Sequence, residues 1–386
     1  MILSILDFVL LAAVIFSGVY AVVATLILAS ELYFNRRSYS RPVTLPPISI
    51  LKPLKGLDDQ LEANLRSFFR LDYPDYEIIF GVASKNDPAV AVVRSLQSEY
   101  PQIGSKLVID ARNRSLNPKI NNLRNMFPYA HHDFLLISDS NIRVGAGYLT
   151  DMMRHMHKPR VGLVTSTIRG IAAETCAGVM ENLHLNTFVA SSVFAVRRLF
   201  KVPVVIGKSM LFSRSTINRL GGFESFGEFL AEDQLIGLAV RELGYKIRTS
   251  TYFVDNVNES WNWEKFLNRH IRWAKMRRNL DLPNYISEIL SHPLALSLAY
   301  ALLHHDDRGF QVLAIILTAK YFADIVALYL MRSDLRLWHC LLLPLKDALI
   351  FGVWFVPFFS RSITWRGNSY RIEKNTQLSA LPAIAD

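Results

Sequence analysis

Two apolar ends enclose a charged middle in this chain of 386 residues, and no other feature of the sequence constrains the fold as strongly. Apolar residues make up 51% of the composition and concentrate at the two ends. No charged residue occurs from Phe8 to Ser30. About 23 helical residues span roughly 34 Å, enough to cross a hydrocarbon core of about 30 Å. The sequence therefore predicts a membrane helix near the N-terminus.

The charges around this helix predict its orientation. The charge that precedes it is Asp7, whereas a cleaved signal peptide needs a positive stretch in that place. Arg36, Arg37 and Arg41 follow the helix, and positive residues favour the cytoplasmic side of a membrane. We therefore expect an uncleaved anchor with its N-terminus outside and the following domain in the cytoplasm.

Three further apolar segments lie towards the C-terminus. They run from Leu294 to Leu303, from Phe310 to Met331 and from Leu337 to Phe359. The last two have about 22 and 23 residues, enough to span a bilayer, whereas the first either spans together with preceding residues or lies in the interface. We expect the last two helices to form a hairpin that returns the basic tail to the cytoplasm, as the positive-inside rule prefers.

These segments predict four parts of the chain. Residues 1–41 form an N-terminal membrane anchor, residues 42–281 an α/β domain, residues 282–360 the C-terminal membrane or interfacial helices, and residues 361–386 a basic cytoplasmic tail. The second part has the charge density of a soluble domain and is long enough to bury its own core.

The middle part alternates between strand-like and helix-like stretches. Short apolar runs typical of strands occur at Ile48–Leu51, Ile78–Val82, Lys106–Ile109, Phe134–Ile137 and Val161–Val164. Stretches with helical periodicity lie between them, at Ala89–Tyr100, Ile120–Phe127 and Tyr148–His157. Such alternation predicts an α/β fold in which a mainly parallel sheet is covered by helices on both faces.

The net charge of +10 does not indicate nucleic acid as a partner, because no zinc spacing, basic zipper or RNA-binding signature accompanies it. Much of the excess lies beside apolar segments, as at Lys265 and Arg278, where contact with anionic lipid headgroups explains it. The two cysteines, Cys176 and Cys340, cannot form a disulfide framework and fit a reduced cytoplasmic face.

Three aspartates occur in a fixed order in the middle part: Asp87, Asp139 and Asp233. Each of them, taken singly, is explained as a helix cap or a turn residue. Their positions after strand-like or glycine-containing stretches nevertheless predict that all three lie at strand or turn ends, where a doubly wound sheet gathers its ligands. Asp87 precedes Pro88, so its side chain can either cap the next helix or accept hydrogen bonds from a nucleobase or ribose.

The tripeptide Asp139-Ser140-Asn141 is a candidate metal site. It follows a predicted strand, and its hard oxygen atoms suit magnesium or manganese. The commoner meaning of such a tripeptide is a turn that ends a strand, because these side chains bond to the local backbone. The two interpretations stay open at this point.

Asp233 is a candidate general base. It precedes the predicted helix Gln234–Leu243, so a loop and a helix N-terminus present it, and the helix dipole favours its ionised form. A positioned carboxylate that accepts a proton contributes typically about 10² to 10⁴ in rate. The alternative role is an N-cap.

Basic residues provide candidates for binding phosphate. Arg269 and Arg272 lie one helical turn apart, so both guanidinium groups can share a face with Trp273 beside them, and arginine binds phosphate bidentately. This segment is equally explained as an interfacial basic helix. Lys52 and Lys119 are further candidates for contact with a nucleotide, with a solvated lysine as the alternative for each.

At these residues the chain resembles the ceramide glucosyltransferase family, the family 21 glycosyltransferases, which have the GT-A nucleotide-sugar fold. The similar stretches are Leu51-Lys52-Pro53-Leu54-Lys55-Gly56, Leu71-Asp72-Tyr73-Pro74, Asn86-Asp87-Pro88-Ala89, Asn117-Pro118-Lys119-Ile120-Asn121-Asn122-Leu123, Asp139-Ser140-Asn141-Ile142-Arg143-Val144, Ala231-Glu232-Asp233 and Arg269-His270-Ile271-Arg272-Trp273. They follow the family's order from about residue 48 to residue 280, and the apolar ends are similar to the family's membrane segments.

The resemblance implies a membrane-bound enzyme that transfers a sugar from a UDP-sugar to a lipid hydroxyl with inversion. It implies Asp87 at the nucleotide, Asp139 at a divalent cation, Asp233 as the base, and Arg269, Arg272 and Trp273 at the diphosphate and acceptor. Glucose transfer from UDP-glucose to ceramide is the expected reaction. Transfer of N-acetylglucosamine from its UDP-sugar to a hopanoid lipid is the alternative, because bacterial relatives use such acceptors.

The sequence leaves other interpretations to be separated by experiment. Near Val189 the family's eukaryotic members have a histidine, which puts equivalence of the acceptor region in doubt. A processive polysaccharide synthase also uses an Arg-x-x-Arg-Trp-like element but needs more spanning helices, and a silent lipid-binding protein would not need three intact acids. We expect a bacterial inner membrane as the location, with the Golgi membrane as the alternative.

Overall fold

The structure, a computed structural model, describes residues 2–36, 43–365 and 367–381. Arg37 and Arg41, on which the predicted orientation partly rests, lie outside the described residues, as do Arg366 and the last five residues of the predicted tail. The chain divides into two compact units, which we describe separately. The sheet unit comprises Asn35–Ala172 and Lys201–Glu259, and the helical unit comprises Met1–Phe34, Ala173–Phe200 and Ser260–Asp386.

These units differ from the boundaries predicted at residues 41 and 281. Residues 173–200 leave the sheet unit in mid-chain and join the helical unit, as do residues 260–281. This arrangement was not predictable from the sequence, because the first of these segments contains polar residues such as Glu181 and Asn182, which the structure buries, and is not apolar enough to suggest membrane-associated helices.

The described chain contains eleven strands in two sheets. They are β1 Ile48–Pro53, β2 Tyr76–Val82, β3 Gly104–Ile109, β4 Phe134–Ser138, β5 Ile142–Arg143, β6 Val161–Ile171, β7 Ser209–Ser213, β8 Lys246–Val257, β9 Ser362–Trp365, β10 Asn368–Ile372 and β11 Leu378–Ala380.

The α-helices alternate with these strands in the sheet unit and dominate the helical unit. They are α1 Ile2–Arg36, α2 Leu61–Phe69, α3 Ala89–Glu99, α4 Pro118–Met126, α5 Tyr148–Met156, α6 Cys176–His184, α7 Ala190–Ala195, α8 Arg214–Arg219, α9 Glu232–Glu242, α10 Trp263–Leu280, α11 Leu282–Ser287, α12 Pro293–His304, α13 Asp307–Leu330 and α14 Leu343–Phe359.

The sheet unit is built on an eight-stranded sheet in the order β3-β2-β1-β4-β7-β6-β8-β5. Strands β3, β2, β1 and β4 pair in parallel, as do β6 and β8, whereas β7 runs antiparallel to both of its neighbours. The core of this sheet is apolar on both faces, and Ile48, Ile50 and Leu51 of β1 are fully buried in it. The predicted α/β fold with a mainly parallel sheet is confirmed.

Local capping explains where α4 begins. The side chain of Asn117 accepts hydrogen bonds from the backbone N–H groups of Lys119 and Ile120, and Pro118 occupies the first helical turn. Asparagine at the N-cap and proline directly after it are typical of a helix start. This start fixes the backbone from which the side chain of Lys119 projects.

The described part of the helical unit contains three helices that are long and apolar enough to cross a membrane: Ile5–Phe34, Asp307–Leu330 and Leu337–Phe359. Leu282–Ser291 and Pro293–His304 pass the same test together but are bent by 67° at the break between them. The predicted apolar segments are therefore present as helices. In the segment predicted as a basic tail, β9, β10 and β11 form a small antiparallel sheet.

Candidate active site

The candidate site residues of the sheet unit gather at one edge of its sheet. Strands β1, β2 and β4 are parallel neighbours, so the segments that follow them, with Lys55, Asp87 and Asp139, leave from the same edge. Strand β7 is antiparallel to β4, and its first residues, next to Lys208, therefore start at that edge. The strand-end placement predicted for Asp87 and Asp139 follows from this topology.

Asp87 joins two turns at the sheet edge. Its carboxylate oxygens accept hydrogen bonds from the backbone N–H of Gly56 at 3.1 and 3.0 Å, and Oδ1 also accepts one from the N–H of Ala89 at 2.9 Å. Gly56 has φ +69°, a left-handed conformation that glycine adopts without strain. Asp87 thus bonds to the first turn of α3, as its capping interpretation predicted, and it also fixes the basic turn after β1.

Asp139 lies among three lysine side chains. The ammonium of Lys119 is 2.9 Å from its Oδ1, and that of Lys208 is 3.8 Å from its Oδ2. Lys208 also donates to Oδ1 of Asn141 at 2.8 Å. Lys52 is fully buried and donates to the backbone carbonyl oxygen of Asp139 at 2.7 Å. The carboxylate is therefore held in a strongly positive environment.

Lys52 occupies a different environment from the one that the sequence suggested. Its ammonium lies 3.7 Å from the centroid of the Phe68 ring and donates to Ser138 as well as to Asp139. Burial lowers its pKa well below the usual lysine value, although the nearby carboxylate of Asp139 opposes this. In this geometry Lys52 acts on the end of β4 and is not exposed to a ligand.

Lys119 connects Asp139 at the end of β4 with Glu232 at the start of α9. Its ammonium bonds to Asp139, donates to the carbonyl oxygen of Gly207 at 2.8 Å, and lies 3.5 Å from Oε1 of Glu232. Glu232 is held in turn by Asn117, whose side-chain amide donates to Oε2 at 3.0 Å. Three segments that are distant from one another in the sequence thus meet at one ammonium group.

Asp233 is the second residue of α9, one residue inside the helix rather than just before it as predicted. Oδ2 of its carboxylate accepts a hydrogen bond from the N–H of Gly207 at 2.9 Å, and Oδ1 accepts one from the N–H of Gln234 at 2.8 Å. Gly207 has no room for a side chain, because a Cβ there would lie 2.6 Å from Oδ2 of Asp233. The carboxylate is therefore held in place by the backbone on two sides.

The protonation of the two acids at the start of α9 is perturbed in the same direction. Burial raises the pKa of the Asp233 carboxyl, while the Lys119 ammonium opposes that rise. Burial also raises the pKa of Glu232, again against the effect of Lys119, and the neighbouring Asp233 raises it further. A carboxyl with a raised pKa is better matched to accept a proton near neutral pH than an ordinary aspartate is.

The sequence did not identify two residues of this site, Lys208 and Asp58. Lys208 contacts both residues of the predicted metal motif, and Asp58 accepts a hydrogen bond from the hydroxyl of Ser140. Lys208 directly precedes the apolar strand Ser209–Ser213, and this position at a strand end could have indicated a site residue. The antiparallel pairing of that strand with β4, however, was not predictable from the sequence. Asp58 carries no signal of its own.

The donor set fits a hard divalent cation in its chemistry. Asp139 and Asn141 provide a carboxylate and an amide oxygen at the sheet edge, and the side chain of Asp139 is 26% exposed. Within residues 2–36, 43–365 and 367–381 no group of three or more histidine, cysteine, aspartate or glutamate side chains is arranged to hold a metal. Water or a bound substrate would supply the further ligands, and a cation would compete there with the ammonium groups of Lys119 and Lys208.

Arg269, Arg272 and Trp273 belong to the helical unit, on α10. Arg269 is 8% exposed and makes an ion pair with the fully buried Glu181 at 2.8 Å. Its guanidinium carbon lies 5.0 Å from the centroid of the Trp261 ring and 4.5 Å from that of Trp273. The sequence missed Glu181, whose carboxylate also bonds to His270 at 2.8 Å.

Arg272 lies on a more open part of α10. Its guanidinium carbon is 5.7 Å from the ring centroid of Trp365 in the C-terminal sheet, a cation–π arrangement. On the same helix Lys275 donates to the carbonyl oxygen of Ser362 at 2.6 Å. The C-terminal sheet therefore packs on the helix that carries the Arg-x-x-Arg-Trp motif.

Comparison with known proteins identifies the family. Residues 15–378 match the protein-family model described as Glycosyl transferase family 21. Ceramide glucosyltransferase 3 of Caenorhabditis elegans is 28% identical over 346 residues, which cover 87% of this chain and 74% of that protein. Ceramide glucosyltransferase 1 of the same organism is 31% identical over 268 residues, which cover 69% of this chain and 57% of that protein.

Among solved structures, a mannosyltransferase of Pyrobaculum calidifontis in complex with GDP-mannose and Mn²⁺ aligns with 91% of this chain and 99% of that one, at 15% identity and a TM-score of 0.47.

The chain belongs to glycosyl transferase family 21. It is therefore a glycosyltransferase, and the family, enzyme class and fold class predicted from its sequence are confirmed.

Proposed function

We propose that this protein is a membrane-bound inverting glycosyltransferase that moves glucose from UDP-glucose to the primary hydroxyl of ceramide. The observation that carries the proposal is the ionic cluster in which the Lys119 ammonium lies between Asp139 and Glu232, next to Asp233 in its backbone cradle. The similarity to ceramide glucosyltransferases over most of the chain supports the choice of acceptor.

Asp233 acts as the general base in this proposal. The acceptor oxygen attacks the anomeric carbon of the sugar, its proton passes to the Asp233 carboxylate, and the bond from that carbon to the diphosphate oxygen breaks. Attack on the face opposite the leaving group inverts the anomeric configuration, and UDP departs with the bonding electron pair. The two backbone N–H groups that bond to Asp233 fix the direction in which its carboxylate accepts the proton.

Positive charge at the sheet edge stabilises the departing diphosphate. A divalent cation held by Asp139 and Asn141 would neutralise the negative charge that develops on the leaving oxygen. Lys119 and Lys208 already surround these two side chains, so their ammonium groups become available to the phosphates if a cation takes their place. Lys52 stabilises this arrangement by donating a hydrogen bond to the backbone carbonyl oxygen of Asp139.

Asp87, Arg269, Arg272 and Trp273 complete the proposed substrate contacts. Asp87 is half-buried and fixes the turn that contains Gly56, which would line the nucleotide. Arg269 and Arg272 would provide charge for the diphosphate, and Trp273 a surface for the acceptor, as the resemblance implies. Because Arg269 is ion-paired with Glu181, only its remaining N–H groups would be available to a phosphate.

The enzyme is proposed to work at the cytoplasmic face of a membrane, where a nucleotide sugar from the cytosol meets a lipid from the bilayer. The helices long and apolar enough to span support an integral membrane protein. The orientation follows from the charges that flank α1 in the sequence. A bacterial inner membrane is the proposed compartment.

The proposal is tested by a substrate screen with purified full-length protein in detergent and a divalent cation. UDP-glucose, UDP-galactose and UDP-N-acetylglucosamine are each combined with ceramide and with a hopanoid, and the lipid products are identified by mass spectrometry. Glucosylceramide as the dominant product supports the proposal. An N-acetylglucosaminyl hopanoid as the dominant product replaces it with the alternative, and hydrolysis of the donor without a lipid product contradicts both.

A further inference from the structure

Helix α14 lies beside α10 over its whole length. At its start, Leu343 shares a buried apolar cluster with Phe266 of α10. In its second half, Val353 and Trp354 pack with Ala274, two turns further along α10. Beyond it, the chain stays with α10, where Lys275 donates a hydrogen bond to Ser360.

Helix α10 cannot lie across the hydrocarbon core of a membrane. Seven of its 18 residues are charged: Glu264, Lys265, Arg269, Arg272, Lys275, Arg277 and Arg278. Glu264, Lys265 and Arg277 among them are exposed on the surface of the unit. Charged side chains are costly at the centre of a bilayer and are rare there. Since α14 runs alongside this helix from end to end, a crossing of α14 would carry α10 across as well.

The side chains of α14 divide into a buried face and an apolar exposed face. At 100° per residue, Leu345, Phe355 and Phe359 of α14 fall within an arc of about 80°. Their exposed fractions are 47%, 42% and 86%, and Leu341, in the 3-10 turn just before α14, is 81% exposed. The buried side chains of the helix fall on the opposite side: Leu343, Lys346, Val353, Trp354 and Pro357. A helix with this distribution is typical of one that lies in the plane of a membrane with one face towards lipid.

The other apolar helices of this unit contact one another, and α13 also contacts α14, where Lys320 pairs with Asp347 and Asp324 with Lys346. Val14 of α1, Tyr300 of α12 and Ile316 of α13 make one buried cluster. The turn between α12 and α13 meets the start of α1, where Nε2 of His304 lies 2.6 Å from Oδ1 of Asp7. Helices α12 and α13 are therefore antiparallel, and α13 runs in the same direction as α1.

We propose that α14 does not cross the membrane but lies in the plane of its cytoplasmic interface, with Leu341, Leu345, Phe355 and Phe359 in contact with lipid. The hairpin that enters the bilayer is then α12–α13, and α13 returns the chain to the side of α10. This replaces the expectation that the last two apolar segments form the hairpin, although Leu337–Phe359 is long and apolar enough to span. It places the helix with the Arg-x-x-Arg-Trp motif directly beside a lipid-facing helix.

Cysteine accessibility distinguishes the topologies. The background is the full-length protein with Cys176→Ser and Cys340→Ser. Single cysteines are introduced before α14 (Trp338→Cys) or after it (Ser369→Cys), and a third variant keeps the native Cys176 on α6 as a reference. Sealed membrane vesicles of known orientation are then treated with a membrane-impermeant maleimide. Trp338 is 58% exposed, and Ser369 and Cys176 are exposed. The proposal predicts that all three positions are labelled from the same side.

Each other labelling pattern overturns the proposal in a recognisable way. If position 338 is labelled from the side opposite to position 176, α13 and α14 form the hairpin. If position 369 alone is labelled from the opposite side, α14 crosses the membrane. Glycosyl transfer by each variant, measured in the same vesicles after permeabilisation, shows that the labelled protein is folded, and the labelling result does not depend on which sugar or lipid is used.

A second measurement tests the contact with lipid. A spin label is attached at Phe355→Cys in vesicles of phosphatidylglycerol and phosphatidylcholine, with Asn368→Cys on the C-terminal sheet as the matched exposed control. The proposal predicts that the label at position 355 is relaxed more by oxygen, which concentrates in lipid, than by a water-soluble nickel complex, and that position 368 shows the reverse. Equal relaxation by the nickel complex at both positions would mean that this face is in water and would overturn the proposal.

Discussion

The backbone N–H of Gly207 donates a hydrogen bond to Oδ2 of Asp233 at 2.9 Å, although 26 residues separate them in the chain. Gly207 comes just before β7, and Asp233 lies in the first turn of α9. The carbonyl oxygen of the same glycine accepts a hydrogen bond from Lys119. One peptide segment therefore positions both the proposed base and the ammonium group that lies beside it.

Gly207→Ala is expected to reduce turnover. The added Cβ would lie 2.6 Å from Oδ2 and 3.0 Å from Cγ of Asp233, so the carboxylate must move. A displacement of about 1 Å at a catalytic group can cost about 10²-fold in rate. The change is measured as kcat with saturating donor. Gly104→Ala is the matched control, because the nearest atom to its added Cβ lies at 3.7 Å, and an equal loss in both variants would contradict the positioning role of Gly207.

The rate is expected to depend on the ionisation of Asp233. Because burial raises the pKa of this carboxyl, the acidic limb of the kcat profile should lie above the ordinary aspartate value of 3.8. The effect of Asp233 on the free energy of unfolding has the opposite pH dependence from that of a salt-bridged acid. Because its pKa is raised in the folded state, its contribution to stability is lost as pH rises through that pKa. A kcat that stays constant down to the ordinary pKa of aspartate would contradict the assignment.

Lys119→Met is expected to impair both stability and activity. Removing one partner of a buried ion pair costs about 3 to 5 kcal/mol, because the remaining charges lose their compensation. Asp139 and Glu232 would each lose the Lys119 ammonium group as their ion-pair partner. Thermal unfolding in detergent measures the loss, Lys119→Arg should retain part of the stability, and the exposed Lys246→Met serves as the control. A melting temperature of Lys119→Met equal to that of the control would contradict the central position of Lys119.

Removing divalent cations is expected to abolish transfer. The oxygen atoms of Asp139 and Asn141 suit such a cation, and the leaving diphosphate needs positive charge. The rate is measured in excess chelator and again after addition of magnesium or manganese, which should restore it. An undiminished rate in chelator would mean that Lys119 and Lys208, which already contact these side chains, supply the charge themselves.

Much of the fold was predictable because its elements follow local patterns. The predicted runs Phe134–Ile137 and Ile78–Val82 lie within β4 and β2, and the helical stretches Ala89–Tyr100 and Tyr148–His157 correspond to α3 and α5 within a residue. Parallel strands buried on both faces are recognisable as continuous apolar runs. The edge at which Asp87 and Asp139 leave the sheet follows from that parallel order.

The remaining features depend on contacts between distant parts of the chain. Strand β7 enters antiparallel between β4 and β6, and only this insertion brings Gly207 and Lys208 to the site. The buried ion pair between Glu181 and Arg269 joins segments that are 88 residues apart in the sequence numbering. By its hydropathy Leu337–Phe359 is long and apolar enough to span a membrane. Hydropathy of one segment, however, contains no information about its neighbours, and the highly charged helix α10 lies alongside this one.

The most direct test of the central claim compares Asp233→Asn with the unmodified enzyme for transfer of glucose from UDP-glucose to ceramide, with UDP binding measured in parallel by calorimetry. Loss of a positioned base should lower kcat by about 10² to 10⁴. UDP affinity should stay within about twofold, since Asp233 is assigned to the acceptor and not to the nucleotide. Full turnover by Asp233→Asn would contradict the account.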